Sequence, residues 1–148
     1  MAYQSRLSGP LLDRIDLHLV LAPVTIDALH SSKLGESSTQ VAERVVRARQ
    51  IQAARYTAGE VHGRLNATLT GTDLDRVSKP TGSALGRLRT AVDCLGLSAR
   101  GYTKVRRIAR TFADLDGSAA VKPSHFDDAL TCRKLGRHTA DSGDAAAA

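Results

Sequence analysis

Residues 95–115 read LGLSARGYTKVRRIARTFADL, and they carry the clearest helical pattern of the chain. Ser98 stands at the start, where its hydroxyl can accept a hydrogen bond from a free backbone N–H of a first helical turn. Gly96 stands where a preceding helix would end, and Gly117 where this one would. The stretch therefore predicts a capped amphipathic helix. Its apolar face is formed by Tyr102, Val105, Ile108, Ala109, Phe112 and Leu115.

Further helices are predicted on both sides of this one. Ser37 and Gln40 form an S-x-x-Q capping box, and apolar spacing behind it predicts a helix to about Tyr56. A loop over 57–71, a short helix from Thr72 to Val77, a helix ending before Gly96 and a last helix from Pro123 follow. We expect residues 38–133 to form a compact bundle of about four or five helices. The expected packing residues are Val45, Leu88, Val92, Val105, Ile108 and Phe112, with Tyr102 and Phe126 also in the core.

The segment before Pro23 alternates with the period of a strand. Large aliphatic residues recur at every second position, and this period predicts a β-strand over 15–21. These positions are Ile15, Leu17, Leu19 and Leu21, and the positions between them are Asp16, His18 and Val20. No second strand pattern follows, so we expect this strand to belong to a sheet whose other strands lie outside the chain. Without that sheet, we expect residues 6–23 to be loosely held or mispaired. The predicted class is mainly α, a helical bundle preceded by a strand fragment. The predicted boundaries are 1–35 for a core fragment, 36–133 for the helical domain and 134–148 for a disordered tail.

Composition excludes several classes of protein. Aromatic residues make up 3% of the chain and Trp is absent, so a module that stacks bases on aromatic platforms is not expected. No apolar run approaches the ~20 residues that span a bilayer, and no secretory signal opens the chain. Two cysteines cannot form a disulfide framework. We expect a soluble, cytoplasmic domain that does not contact membranes.

Positive charge concentrates in residues 72–111. The chain carries a formal net charge of +6, and the basic residues cluster most densely in Arg100–Arg110. Such a field favours phosphate, either of a nucleotide or of a nucleic-acid backbone. Arg106, Arg107 and Arg110 are accordingly weak candidates for contacts with DNA or a neighbouring subunit. A solvated helix face is the alternative interpretation of the same run.

No self-contained active site is visible in the sequence. The chain contains neither a G-x-x-x-x-G-K-[ST] phosphate loop nor a G-x-S-x-G nucleophile elbow. Its five histidines form no metal-binding pair, so no metal site is expected. We therefore expect that the isolated chain binds no cofactor and does not hydrolyse ATP.

Two motifs resemble those of a known ATPase family. Residues 6–18 read RLSGPLLDRIDLH, and residues 95–102 and 108–115 read LGLSARGY and IARTFADL. This order resembles the C-terminal part of Mg-chelatase-like competence AAA+ ATPases (ComM/YifB type), over about residues 3 to 133. The resemblance implies the last piece of an α/β core followed by the helical lid. It places the phosphate loop, the Mg-binding acidic motif and the first sensor upstream of Met1, so that ATP and Mg are bound by a longer parent.

The resemblance implies roles for two arginines. Arg14 matches the arginine finger, which reaches across a subunit boundary to a neighbour's γ-phosphate in a hexameric, homo-oligomeric ring. The planar, permanently charged guanidinium of an arginine suits that task. The alternative role for Arg14 is a structural ion pair with Asp13 or Asp16. Arg100 matches the second sensor at the start of a lid helix, where the helix terminus favours an anion. The alternative is that Arg100 is an ordinary surface residue. Whether Arg100 would contact the nucleotide of its own subunit or that of a neighbour is open.

The function implied by the resemblance is a ring ATPase working on DNA. The parent would be a motor or branch-migration helicase in natural transformation or recombination. Two alternatives remain, a stand-alone helical nucleic-acid-binding module and the lid of a magnesium-chelatase subunit acting on a tetrapyrrole. The first is supported by the basic charge of the chain, and the second by the shared ATPase branch.

Overall fold

The computed structural model describes residues 11, 13–21, 23–26, 30 and 35–133. Between residues 35 and 133 the chain forms five α-helices and one short 3-10 helix. They are α1 (Ser38–Thr57), the 3-10 helix (Asn66–Thr68), α2 (Gly71–Val77), α3 (Gly82–Leu95), α4 (Ala99–Leu115) and α5 (Pro123–Thr131). The mainly helical class and the order of the five α-helices predicted from the sequence are confirmed, whereas the 3-10 helix lies in the stretch predicted to be a loop. The predicted tail over 134–148 lies outside the described residues.

The predicted caps are present. Ser37 and Gln40 form the capping box of α1, with the Gln40 N–H donating to Ser37 Oγ at 3.3 Å. Gly96 ends α3 in the left-handed region, at a φ of 51° that a residue with a Cβ rarely adopts. Ser98 caps α4 by accepting from the Gly101 N–H at 3.0 Å. These local signals fix where α3 ends and where α4 begins.

Helix α4 is the centre of the bundle and packs against α1, α2, α5 and the 3-10 helix. Its fully buried Val105 and Ala109 meet Leu88 of α3 and Phe126 of α5. The expected packing of Tyr102, Ile108 and Phe112 is confirmed, since all three are partly buried against this core.

The prediction for Val45 is wrong. The Val45 side chain is 44% exposed, and the buried residues of α1 are Ala48 and Gln52, one and two turns further on. The C-terminal half of α1 carries the buried contact because Gln52 and Arg55 bind polar groups near α4. The N-terminal half of α1 therefore keeps its valines at the surface.

The predicted strand is not formed. Residues 15–21 have neither helical nor strand structure, because the described part of the chain offers no strand to pair with them. The expectation of a loosely held segment is also wrong for Asp13–His18, which hydrogen-bonds to the helical bundle. Leu19, Val20 and Leu21 are exposed beyond it.

Candidate functional site

The Asp13–His18 segment contacts the start of α4 through a carboxylate. Ser98 Oγ donates to Asp13 Oδ2 at 2.6 Å while it accepts from the Gly101 N–H at 3.0 Å. One hydroxyl thus caps the helix and holds the segment. A hydrogen bond to a carboxylate is stronger than one between neutral groups, so the contact fixes Asp13 against the N-terminus of α4.

Arg133 holds the same segment from the end of α5. Its side chain is only 4% exposed, and its Nη1 donates to the carbonyl oxygens of Ile15 at 3.0 Å and Asp16 at 3.2 Å. Its Nη2 lies 3.5 Å from Asp13 Oδ1. The guanidinium therefore binds both the backbone and a side chain of the segment.

Two further contacts complete the attachment. Lys104 Nζ of α4 lies 2.8 Å from Asp16 Oδ1, and the His18 N–H donates to the Cys132 carbonyl at 2.6 Å. The segment consequently bridges the start of α4 and the end of α5. The sequence suggests Asp13 and Asp16 as cap or salt-bridge residues, but it does not identify Lys104 and Arg133 as their partners.

Arg14 lies at the surface in the turn that these contacts hold. Its N–H donates to the Leu11 carbonyl at 3.0 Å, and its side chain is exposed. Among the described residues, no carboxylate pairs with its guanidinium, since Asp13 binds Ser98 and Arg133 while Asp16 binds Lys104. The structural pairing of Arg14 with these aspartates is therefore not observed.

Arg100 is exposed in the first turn of α4, two residues after the cap Ser98. No described carboxylate pairs with it either. Because Asp13 binds Ser98 directly, the turn that carries Arg14 and the turn that carries Arg100 lie at one end of the helical domain. The structure thus joins the two turns that carry these arginines through one side-chain hydrogen bond.

The arginines further along α4 are placed differently. Arg106 is buried and donates to the carbonyls of Ser78 and Leu74, both at 2.9 Å, and it pairs with Asp75 at 2.7 Å. Arg107 Nε donates to the Leu69 carbonyl at 2.8 Å. The solvated-face interpretation is therefore wrong for Arg106. A contact of either residue with DNA stays a prediction.

Arg110 is also buried, and it belongs to a network that sequence reasoning missed. Asp114, whose side chain is fully buried, accepts from Arg110 Nε at 3.1 Å, from Asn66 Nδ2 at 2.7 Å and from Arg55 Nη2. Burial lowers the pKa of Arg110, and the charge of Asp114 opposes that effect. The solvated-face interpretation is wrong here too, while a DNA contact of Arg110 stays a prediction. The i,i+4 spacing of Arg110 and Asp114 was a visible signal of this pair.

Neither a metal cluster nor a membrane helix is found in the described part of the chain. No three His, Cys, Asp or Glu side chains lie close enough there to hold a metal ion. None of the helices described is both long and apolar enough to cross a bilayer.

A family profile and several longer relatives match this chain. The profile of the family described as magnesium chelatase, subunit ChlI C-terminal, matches residues 35–133. The competence protein ComM of Haemophilus influenzae is 36% identical over 138 residues, 93% of this chain and 26% of its own length. An uncharacterized protein of Mycobacterium tuberculosis is 38% identical over 135 residues, which are 90% of this chain and 26% of the relative. The uncharacterized protein YifB of Escherichia coli is 34% identical over 139 residues, which are 93% of this chain and 26% of the relative.

These matches confirm the resemblance inferred from the two motifs. The chain spans about a quarter of the length of these relatives, 26% in each case. By the profile match over its helical domain, the chain belongs to the family of magnesium-chelatase ChlI C-terminal domains.

Proposed function

We propose that this chain is the C-terminal domain of an AAA+ ring ATPase of the ComM type, and that it supplies two arginines to bound nucleotide. One observation carries the proposal. The Asp13–Ser98 hydrogen bond joins the turn of Arg14 to the first turn of α4, and both Arg14 and Arg100 are exposed without a carboxylate partner among the described residues. An arginine that is held by its backbone but unpaired at its fork is available for phosphate oxygens.

Arg14 would act as the finger on a neighbouring subunit's nucleotide. Phosphoryl transfer spreads negative charge over the oxygens of the transferred group, and a positioned guanidinium stabilises that charge. Arg133 and Ser98 take no part in the chemistry, but they hold Asp13 and so restrict the position of Arg14. Positioning of this kind matters because a shift of about 1 Å can cost roughly a hundredfold in rate.

Arg100 would act as the second sensor. It follows the cap of α4, where free backbone N–H groups and the helix dipole favour an anion. The dipole disfavours an arginine at this end of a helix unless an anion is present. Contact with the γ-phosphate would offset that cost and would couple nucleotide state to the position of the helical domain.

ATP and Mg²⁺ would be held largely by other parts of the ring. No group of side chains in the described chain is arranged to ligate a metal ion, so magnesium would be bound by the parent's core together with the phosphates. This chain's contribution would be positive charge at the phosphates and a surface for the neighbouring subunits. DNA is the proposed partner on which the parent works, in natural transformation or recombination. This part of the proposal is supported by the relative that bears the name competence protein.

The test of this proposal is an ATPase assay on a full-length protein that carries this domain. Arg14→Ala should lower hydrolysis by at least roughly a hundredfold, because the transition-state charge is no longer stabilised. ATP binding should stay nearly unchanged, because the phosphate loop is intact. Arg14→Lys should not restore the rate, since an ammonium lacks the planar fork.

The matched control is Arg64→Ala, which removes another exposed arginine outside the Asp13–His18 segment. It should hydrolyse ATP at the wild-type rate. Wild-type hydrolysis by the Arg14→Ala variant would exclude the finger role.

A further inference from the structure

A second site of positive charge lies on another part of the domain. A cleft of about 400 Å³ opens between the end of α1, the connection from α2 to α3 and the loop that precedes α5. Four cationic side chains line it, Arg55, Arg76, Lys79 and Arg110, together with the acidic residue Glu60. Neither Arg14 nor Arg100 lines this cleft, so it is distinct from the site proposed above.

The charges around the cleft do not balance. Asp114 is fully buried and is shared by Arg55 and Arg110. Asp114 and Glu60 together supply two negative charges against the four positive ones. Among the described residues no other carboxylate lines the cleft. Two positive charges are therefore left for a ligand to neutralise.

Hydrogen-bond donors are also left over. Arg76 uses Nη1 to donate to the Glu60 carbonyl at 2.6 Å and makes no other hydrogen bond to the described residues. Lys79 is exposed and pairs with no described carboxylate. Arg55 Nη1 is buried and meets no acceptor in the described part of the chain. Because Arg55 Nη1 is not accessible to solvent, the donors that a ligand in the cleft can reach are those of Arg76 and Lys79.

We propose that this cleft binds a phosphate group carrying two negative charges, either as free phosphate or as the end of a phosphomonoester. Such a group has three or more strong acceptor oxygens and matches both the uncompensated charge and the number of free donors. The cleft volume lies at the low end of small-ligand sites. It therefore suits a small anion and cannot enclose a nucleic-acid duplex.

The test is an NMR titration of the 148-residue chain with sodium phosphate, with sodium chloride at equal ionic strength as the reference. Saturable shifts should appear at the amides of residues 76–79 and 119–121. Lys79→Ala should weaken the binding by about tenfold, because one charge-assisted hydrogen bond is lost. Arg76→Ala should do the same. The control Arg64→Ala removes an exposed arginine outside the cleft and should leave the affinity unchanged.

Two further arms separate the sources of the phosphate group. A 5′-phosphorylated trinucleotide and its dephosphorylated form are titrated in the same way. Stronger binding of the phosphorylated form at residues 76–79 assigns the cleft to a phosphomonoester, and saturation by free phosphate alone assigns it to the free ion. Shifts that do not saturate with any probe would overturn the proposal. Equal weakening by Arg64→Ala and Lys79→Ala would overturn it as well, since binding would then follow net charge alone.

Discussion

Replacement of Asp114 by alanine should destabilise the helical domain more than loss of any surface ion pair. The Asp114 carboxylate is fully buried and accepts from Arg110 Nε at 3.1 Å, from Asn66 Nδ2 at 2.7 Å and from Arg55 Nη2. Without it, two guanidinium groups remain in the interior with no charge to oppose theirs. The Arg55 side chain is 13% exposed and that of Arg110 is 4% exposed, so water can replace only a small part of the interaction with the lost carboxylate.

The expected magnitude follows from this burial. Removal of one partner from a buried ion pair costs about 3–5 kcal/mol. Domains of this size are stable by only about 5–15 kcal/mol in total. At about 4–8 °C per kcal/mol for a domain near a hundred residues, the melting temperature should fall by more than about 12 °C.

Thermal unfolding followed by far-UV circular dichroism measures the melting temperature, and urea denaturation measures the free energy of unfolding. The control Asp127→Ala removes a carboxylate that pairs with Arg87 at the surface, where both side chains are largely exposed, and it should cost no more than about 1 kcal/mol. Asp114→Asn keeps the volume of the side chain and tests the charge separately. If Asp114→Ala unfolded within about 1 kcal/mol of wild type with an unchanged m-value, the network would not carry the stability assigned to it.

Two further predictions concern titration. Burial raises the pKa of the Cys132 thiol, whereas Cys94 is exposed. A thiol reagent at neutral pH should therefore label Cys94 first, and faster labelling of Cys132 would contradict this order. Hydrogen bonds from His62 lower the pKa of Asp73. The larger effect comes from the His62 backbone N–H, which lies 2.8 Å from Asp73 Oδ2, and the His62 ring adds to it. The resulting stabilisation is present above the unfolded-state pKa of about 3.9 and is lost as the pH falls through the lowered value. Asp73→Asn should therefore reduce the slope of stability against pH below about 4, and an unchanged slope in acid denaturation would refute this.

Sequence reasoning succeeded where the signal is local. The capping box of Ser37 and Gln40, the left-handed Gly96 and the cap Ser98 each depend on residues within one helical turn. Patterns of that range can be recognised without knowledge of the fold. The apolar face of α4 was predicted for the same reason, because its spacing alone determines which side chains face one way.

Sequence reasoning failed where the partner is distant. Arg133 and Ile15 are 118 positions apart, and no pattern near either one indicates their contact. Arg106 looked like a surface residue because its acceptors, the carbonyls of Leu74 and Ser78, are backbone atoms that any sequence contains. Val45 has the correct spacing for a core position but lies on a part of α1 that extends past the packed half. In each case tertiary structure decides the environment of the residue.

Mixed rings test whether Arg14 acts on the nucleotide of a neighbouring subunit. One full-length variant carries Arg14→Ala, and the other lacks the lysine of the parent's phosphate-binding loop but keeps Arg14. Each should be inactive alone. In equimolar mixed rings the second variant's Arg14 faces an intact site of the first at some interfaces, so ATP hydrolysis should return to about a quarter of the wild-type rate. A mixture as inactive as its two components would contradict the account, because it would show that Arg14 serves only its own subunit.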